Sequence, residues 1–137
     1  MTRFVIDAAV ALRLAELGTT VGHELLAPTL LRSQTLSLMH EAVHARDLTA
    51  SEARARLAGV RRLNVRLLGD AVLRDTAWKV ADELGWASTY DAEYVALTRL
   101  QGDALVTLDG SFARAAGALV PTAPFEALLE GGSGILA

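Results

Sequence analysis

The fold is decided by residues 4–18, which read FVIDAAVALRLAELG. The apolar run at residues 4–6 predicts a short buried strand. Residues 8–17 carry apolar side chains at helical spacing, and Gly18 is a residue type that commonly ends a helix. The stretch therefore predicts a strand followed at once by a helix, with Asp7 at the junction between them.

The rest of the chain repeats this alternation of short strands and helices. Further strands are predicted at residues 64–68, 104–108 and 119–120, and helices at residues 28–46, 49–63, 70–84, 88–100, 111–116 and 124–130. Pro28 is expected to open the first of these helices, because proline suits a first helical turn. Thr49 and Glu52 match a capping box at the start of the next. The alternation is typical of an α/β fold with a mostly parallel sheet, in which ligands bind beyond the carboxyl ends of the strands.

Length and composition indicate one domain. The chain has 137 residues, of which 52% are apolar and 21% are charged, and this composition suits a single packed core. We expect one domain over residues 1–130 and a flexible, glycine-rich tail over residues 131–137. The chain contains no cysteine, which excludes a disulfide framework, cysteine zinc sites, iron–sulfur clusters and cysteine catalysis.

The sequence offers no membrane signal. Asp7 interrupts the first apolar run, which argues against a signal peptide. No stretch approaches the roughly 18 uncharged apolar residues that a membrane span needs. We therefore expect a cytoplasmic protein with no membrane partner.

Charge is distributed unevenly along the chain. The segment from Pro28 to Arg66 contains seven arginines and three acidic residues, for a net charge of +4, whereas the remainder carries −7. A basic segment beside an acidic remainder suits a partner rich in phosphate. A solvated helix face explains the same pattern without any partner.

Three aspartates stand where the predicted strands and helices meet. Asp7 and Asp109 each follow an apolar strand, and Asp91 opens a predicted helix. Each could act only as a helix cap or as a charge that favours the helix dipole. Taken together, they predict carboxylates that converge at one edge of the sheet, which repel one another unless a cation is present. Oxygen ligands of this kind suit Mg²⁺ or Mn²⁺, which activate water for phosphodiester hydrolysis.

The segments that contain these acids resemble the acidic motifs of PIN-domain ribonucleases, in particular the VapC-type toxins of bacterial toxin–antitoxin pairs. The matching segments read FVIDAAVALRL, TYDAEYVALT and LVTLDGSFAR, and the resemblance covers about residues 3–126. It implies a three-layer α/β/α sandwich with a short, mostly parallel sheet. It also implies an endoribonuclease that uses Mg²⁺ or Mn²⁺, acts as the toxin of its pair, forms a homodimer and is silenced by a cognate antitoxin protein.

The resemblance assigns roles to individual residues. Asp7, Asp91 and Asp109 match the acids that hold the metal and carry catalysis, and Thr107 matches a hydroxyl that supports this cluster. Arg32 is a candidate for a contact with an RNA phosphate or an antitoxin carboxylate, and a surface role without a partner is equally compatible with its position.

One position departs from the family pattern. The family usually has a glutamate about six residues after the proline, and this chain has Gln34 after Pro28. The carbonyl oxygen of Gln34 can still bind a metal weakly or through water, but the local charge falls. An active variant, a weak nuclease and a depleted module that only binds RNA or antitoxin are the three open hypotheses. Glu41 is not expected to replace the missing acid, because it lies two turns, roughly 10 Å, along the same predicted helix.

A second metal motif competes with the first. Residues 40–44 read HEAVH, and on a helix His40 and His44 share a face where they can bind Zn²⁺, with Glu41 as a general base. A zinc peptidase is therefore a remote alternative. It lacks an identifiable third ligand, and two partly exposed helix histidines around a solvated glutamate explain the motif without any metal.

Overall fold

A computed structural model describes residues 2–131, so residues 132–137 of the expected tail lie outside the described residues. The elements are β1 Arg3–Ile6, α1 Ala8–Leu17, β2 Glu24–Pro28, α2 Leu30–His44, α3 Ala50–Arg62, β3 Arg66–Leu68, α4 Ala71–Leu84, α5 Tyr90–Gln101, β4 Ala104–Val106, α6 Gly110–Ala116 and a 3₁₀ helix Phe125–Leu129. Among the helices of residues 2–131, none is long and apolar enough to cross a membrane.

The strands of residues 2–131 form one parallel sheet. Its order is β3-β2-β1-β4, and each neighbouring pair runs parallel. Helices α1, α2 and α3 contact one another, whereas α4 and α5 form a separate pair in which α5 packs on the sheet. The predicted three-layer α/β/α sandwich is confirmed.

The central strands carry the core. Val5 and Ile6 of β1 and Leu105 and Val106 of β4 are fully buried, as are several side chains of α1 and α5. Strands of a parallel sheet are covered by helices on both faces, so they are apolar along their whole length. This burial fixes the carboxyl ends of β1 and β4 side by side, and it thereby places Asp7 close to the segment that follows β4.

Local signals in the sequence set several boundaries. Asp7 caps α1, because its side chain accepts a hydrogen bond from the Val10 amide, and Gly18 ends this helix in the left-handed conformation at φ 64°. Both hydrogen bonds of the predicted capping box between Thr49 and Glu52 are present at the start of α3. These predictions are confirmed.

Two predicted elements are wrong. Pro28 does not open a helix: it is the last residue of β2, a strand that the sequence analysis missed, and α2 begins at Leu30. A proline fits there because it ends the strand, while the amide of Thr29 donates to the carbonyl oxygen of Leu68 at 3.2 Å. Residues 119–120 form a turn instead of a strand, and only one bridge, between Leu105 and Thr122, pairs this region with the sheet.

A close contact between α1 and α3 supports this side of the sandwich. A methyl group at Gly59 of α3 would lie 2.9 Å from the Cβ atom of Ala15 in α1. Alanine normally stabilises a helix by about 1 kcal/mol relative to glycine. Here the backbones leave no room for the added atom, so the sign is reversed.

We predict that Gly59→Ala lowers the free energy of unfolding by about 1–2 kcal/mol, because overpacking outweighs the gain in helix propensity. Urea denaturation measures the change. Ala55→Gly at an exposed position of the same helix is the matched control, and it should cost about 1 kcal/mol by propensity alone. A Gly59→Ala protein that is more stable than the parent would contradict the close contact.

Candidate metal and phosphodiester site

A cavity of about 280 Å³ opens at the carboxyl edge of the sheet. It lies between three helices: the start of α1, the middle of α2 and the start of α5. Its lining consists of Asp7, Ala8, Ala9, Gln34, Ser37, Leu38, Glu41, Asp91 and Tyr94. Two of the three aspartates that the sequence singled out therefore share this cavity, together with Gln34.

Asp7 is the most buried acid of the site. One carboxylate oxygen accepts from the Val10 amide at 3.0 Å, and the other accepts from the Thr107 hydroxyl at 2.5 Å. Burial raises the pKa of Asp7, these two hydrogen bonds lower it, and the charges of Asp91 and Asp109 raise it further. The net direction is upward, so the fold holds this carboxylate at an energetic cost.

Asp91 has no structural partner within residues 2–131. It lies in the first turn of α5 but caps nothing, since the hydroxyl of Ser88 instead accepts from the amide of Tyr90 at 3.2 Å. Partial burial and then the charge of Asp109 raise the pKa of Asp91. The side chain of Asp91 is exposed, so water can solvate the carboxylate, and it is the place of Asp91 in the cavity lining that marks it as a ligand candidate.

Asp109 has a different environment. It is exposed and caps α6, because one oxygen accepts from the amides of Ser111 at 3.0 Å and Phe112 at 3.2 Å. These hydrogen bonds lower the pKa of Asp109. Asp109 does not line the cavity, although its charge affects both Asp7 and Asp91. The cap hypothesis thus describes Asp109 and Asp7, and it does not describe Asp91.

Gln34 is held by a residue that the sequence analysis did not select for this role. The hydroxyl of Tyr94, a fully buried side chain of α5, donates to the Oε1 atom of Gln34 at 2.5 Å. Burial and the nearby charge of Asp7 raise the pKa of Tyr94 well above its usual range, so the hydroxyl stays protonated. The carbonyl oxygen of Gln34 is therefore engaged, and its amide nitrogen is the group left to donate.

Glu41 lines the same cavity as Gln34, which differs from the sequence expectation that separated them. Two helical turns bring residues seven apart to the same face of α2, and the cavity extends along this face. The hydroxyl of Ser37 donates to the Oε2 atom of Glu41 at 2.6 Å. The spacing from Gln34 to Glu41 could have shown this shared face, but not that the cavity reaches so far.

The remaining candidates lie elsewhere. Arg32 lines a separate apolar groove between α2 and α3, together with Leu36, Leu57 and Arg61. His40 faces a neighbouring part of that groove, on a different side of α2 from Glu41. Nothing in the described chain supplies a third zinc ligand to the HEAVH segment. The peptidase hypothesis therefore gains no support.

The donor set of the cavity fits a hydrated hard cation. Within residues 2–131, no three His, Cys, Asp or Glu side chains stand close enough to bind one ion together. Mg²⁺ does not require such a cage, because it usually keeps several waters and is held by one or two carboxylates. Asp7 and Asp91 are the carboxylates that would hold it, since both have raised pKa values that a nearby cation would lower.

Comparison with known proteins supports the fold. No family model matches the chain, and no curated protein matches it. Among solved structures, the chain is similar to the crystal structure of PAE2754 from Pyrobaculum aerophilum, with a TM-score of 0.71 and 25% sequence identity over 93% of each chain. The similarity spans nearly the whole of both chains, so the α/β/α architecture is shared from end to end.

The opposite pKa directions of Asp7 and Asp109 predict opposite effects on stability. A carboxyl group with a raised folded pKa stabilises the fold at low pH, and this contribution is lost as the pH rises through the folded pKa. Asp7→Asn keeps a carbonyl oxygen that accepts from the Val10 amide, places an amide group that can donate to the Thr107 hydroxyl oxygen, and removes the partly buried charge. We predict that it raises the free energy of unfolding at pH 7 by about 1 kcal/mol, and by less at pH 3.

Asp109→Asn is the matched control for this measurement. The pKa of Asp109 is lowered, so its charge stabilises the fold above the unfolded pKa and the variant should be slightly less stable at pH 7. Thermal and urea unfolding at both pH values measure the two variants. A loss of stability in Asp7→Asn at pH 7 would show that the Asp7 charge is not held at a cost.

Proposed function

We propose that the protein is an endoribonuclease that depends on Mg²⁺ or Mn²⁺ and hydrolyses RNA phosphodiester bonds. The observation that carries the proposal is that Asp91, an exposed carboxylate that makes no hydrogen bond or ion pair within residues 2–131, lines the same cavity as the partly buried carboxylate of Asp7. Two carboxylates with raised pKa values at the carboxyl edge of a parallel sheet are typical of a ligand site.

Each residue of the site has a distinct task in this proposal. Asp7 and Asp91 would hold the ion, which would activate a water and neutralise charge on the phosphate. Thr107 fixes the carboxylate of Asp7 by its hydrogen bond. Asp109 adds negative potential from outside the cavity. The amide nitrogen of Gln34 donates to a phosphate oxygen of the substrate.

The arginines of α2, α3 and β3 would hold the RNA backbone. Two arginines of this basic segment are already used in ion pairs, Arg56 with Glu16 at 3.3 Å and Arg66 with Glu24 at 3.5 Å. Arg32 and Arg61 rim the groove between α2 and α3, where a phosphate or a carboxylate can reach them. The phosphate contact first considered for Arg32 is therefore retained, outside the cavity.

The toxin role belongs to the same proposal and rests on the sequence resemblance. It implies a cytoplasmic homodimer that a small antitoxin protein silences. The apolar groove with Arg32 and Arg61 offers a surface for an antitoxin segment that carries acidic side chains. Co-expression with the product of the adjoining reading frame tests this role, and a stable complex that blocks cleavage is the expected result.

A module that binds RNA or an antitoxin without cleaving is the second candidate. It is favoured by the absence, within residues 2–131, of three acids able to share one ion, and by Gln34 in place of a glutamate. Gln34→Glu separates the candidates. A large gain in cleavage would show an attenuated nuclease, whereas binding without cleavage in both forms would favour the module.

We predict that the purified protein cuts a mixed cellular RNA pool into discrete fragments with Mg²⁺ or Mn²⁺ and not with a chelator. Asp7→Asn and Asp91→Asn should each lower cleavage by at least about 100-fold, because each removes a carboxylate that would hold the metal ion. Gel analysis of the fragments and circular dichroism of the variants measure activity and folding together.

Asp75→Asn is the control for this experiment, since Asp75 is an exposed residue of α4 outside the cavity. It should cleave as the parent does. Full activity in Asp91→Asn would overturn the proposed function, and so would cleavage that persists when the chelator has removed the metal.

A further inference from the structure

We propose that a second pocket beside the cavity binds a nucleobase of the RNA, with Tyr90 as the side chain on which the base stacks. This inference rests on the proposed function, because it takes RNA to be the ligand of the neighbouring site. The pocket, called here the aromatic pocket, is lined by Gln34, Gly85, Trp86, Ala87, Ser88, Tyr90 and Asp91. Its volume of about 500 Å³ lies in the range of pockets that hold small molecules, so one base fits.

The aromatic pocket adjoins the cavity that contains the two carboxylates. Gln34 and Asp91 line both spaces. A phosphodiester held at Asp91 therefore has one of its flanking nucleosides beside the aromatic pocket. Bases of single-stranded RNA are free to leave their neighbours and stack on aromatic side chains of a protein. The position of the pocket thus suits a base next to the bond that is cleaved.

Tyr90 presents the surface that a stacked base needs. It is the first residue of α5, and its amide donates to the Ser88 hydroxyl at 3.2 Å, which fixes the backbone at this point. Its side chain is 60% exposed, whereas Tyr94 of the same helix is fully buried. Packing within the chain therefore explains Tyr94 and leaves most of the Tyr90 ring uncovered. A base would cover this ring, and stacking tolerates any base because each has a flat π face.

Trp86 forms a firmer wall of the same pocket. Its ring packs against that of Phe112, with centroids 5.9 Å apart, and its amide donates to the carbonyl oxygen of Ala81 at 2.8 Å. The indole N–H makes no hydrogen bond to the described chain and is not buried, so it can donate to a base edge.

The chemistry of the lining favours a base over an anionic ligand. Within residues 2–131, no lysine or arginine lines the aromatic pocket, and Asp91 is its one charged residue. Free phosphates and acidic peptides are usually held by arginine or lysine. Two aromatic side chains with neutral hydrogen-bond donors beside them suit a nucleobase instead.

Tryptophan fluorescence reports on this pocket, because Trp86 lines it and Trp78, the other tryptophan of the chain, does not. In Trp78→Phe, Trp86 is the remaining tryptophan. We predict that an unstructured oligoribonucleotide, added with a chelator so that it stays intact, quenches this fluorescence to saturation. An abasic strand of the same length and charge should bind at least about tenfold more weakly and leave the fluorescence unchanged. Trp86→Phe is the matched control, and its exposed Trp78 should show no quenching.

Tyr90→Ala tests the stacking residue itself. It should weaken oligonucleotide binding about tenfold and raise KM for cleavage with Mn²⁺ to a similar extent. We expect kcat to change by less than about threefold, because the ring contacts the base and not the reacting phosphate. Tyr90→Phe keeps the ring and should behave as the parent does. Tyr90 is exposed, so both variants should unfold at the temperature of the parent.

The outcomes separate this inference from the proposed function. Equal binding of the abasic and the complete strand, or parental affinity in Tyr90→Ala, would overturn the base pocket. Metal-dependent cleavage that is lost in Asp91→Asn would then still support the nuclease. Fluorescence of Trp86 that changes with protein concentration and not with RNA would show that a second copy fills the pocket, and would also overturn it. A strand that neither binds nor is cut, with chelator or with Mn²⁺, would defeat the proposed function and with it the ligand of this pocket.

Discussion

The position of the Asp7 carboxylate is the constraint on which the site depends. One of its oxygens caps α1 through the Val10 amide, and the other accepts from Thr107, which follows β4. The same side chain therefore ties the first helix to two neighbouring strands. This anchoring partly buries a charge. The hydrogen bonds fix the carboxylate and lower the pKa of Asp7, whereas burial raises the pKa and disfavours the ionised form.

The three aspartates differ in how far a structural role alone explains the presence of a charged side chain. Asp109 is fully explained, because it is exposed and its charge favours the helix that it caps. Asp7 is explained in part, since a neutral asparagine could cap α1 as well. Asp91 caps nothing, but it is exposed in the first turn of α5, where its charge favours the helix dipole.

The sequence predicts those parts of the fold that depend on neighbouring residues. The strand before Asp7, the helix after it, the glycine that ends this helix and the capping box of Thr49 and Glu52 are all local, and all were predicted. Strand β2 was missed because a proline at its last residue reads equally well as the start of the next helix. The distinction depends on pairing with β1 and β3, which residues 24–28 alone do not reveal.

The site shows the same division. Asp7, Asp91 and Asp109 could be selected because each stands at a predicted boundary between elements. The contact of Tyr94 with Gln34 joins residues 60 positions apart, so no local pattern contains it. Glu41 was not expected at the site because it lies two helical turns from Gln34. The separation along the helix does not determine how far the cavity between α1, α2 and α5 extends, and this cavity reaches both residues.

The charge of the cavity also constrains how RNA can approach it. Its lining carries three carboxylates and no basic side chain in the described chain, while the arginines of the basic segment line the groove between α2 and α3. A phosphate would therefore be attracted to the groove and repelled from the cavity. In the proposed function, a cation between Asp7 and Asp91 would reverse the second effect, so metal binding and RNA binding at the cavity would each strengthen the other. The separation of arginines from acids would then let RNA bind at the groove without metal, and it would admit a phosphate to the carboxylates only when the metal is present.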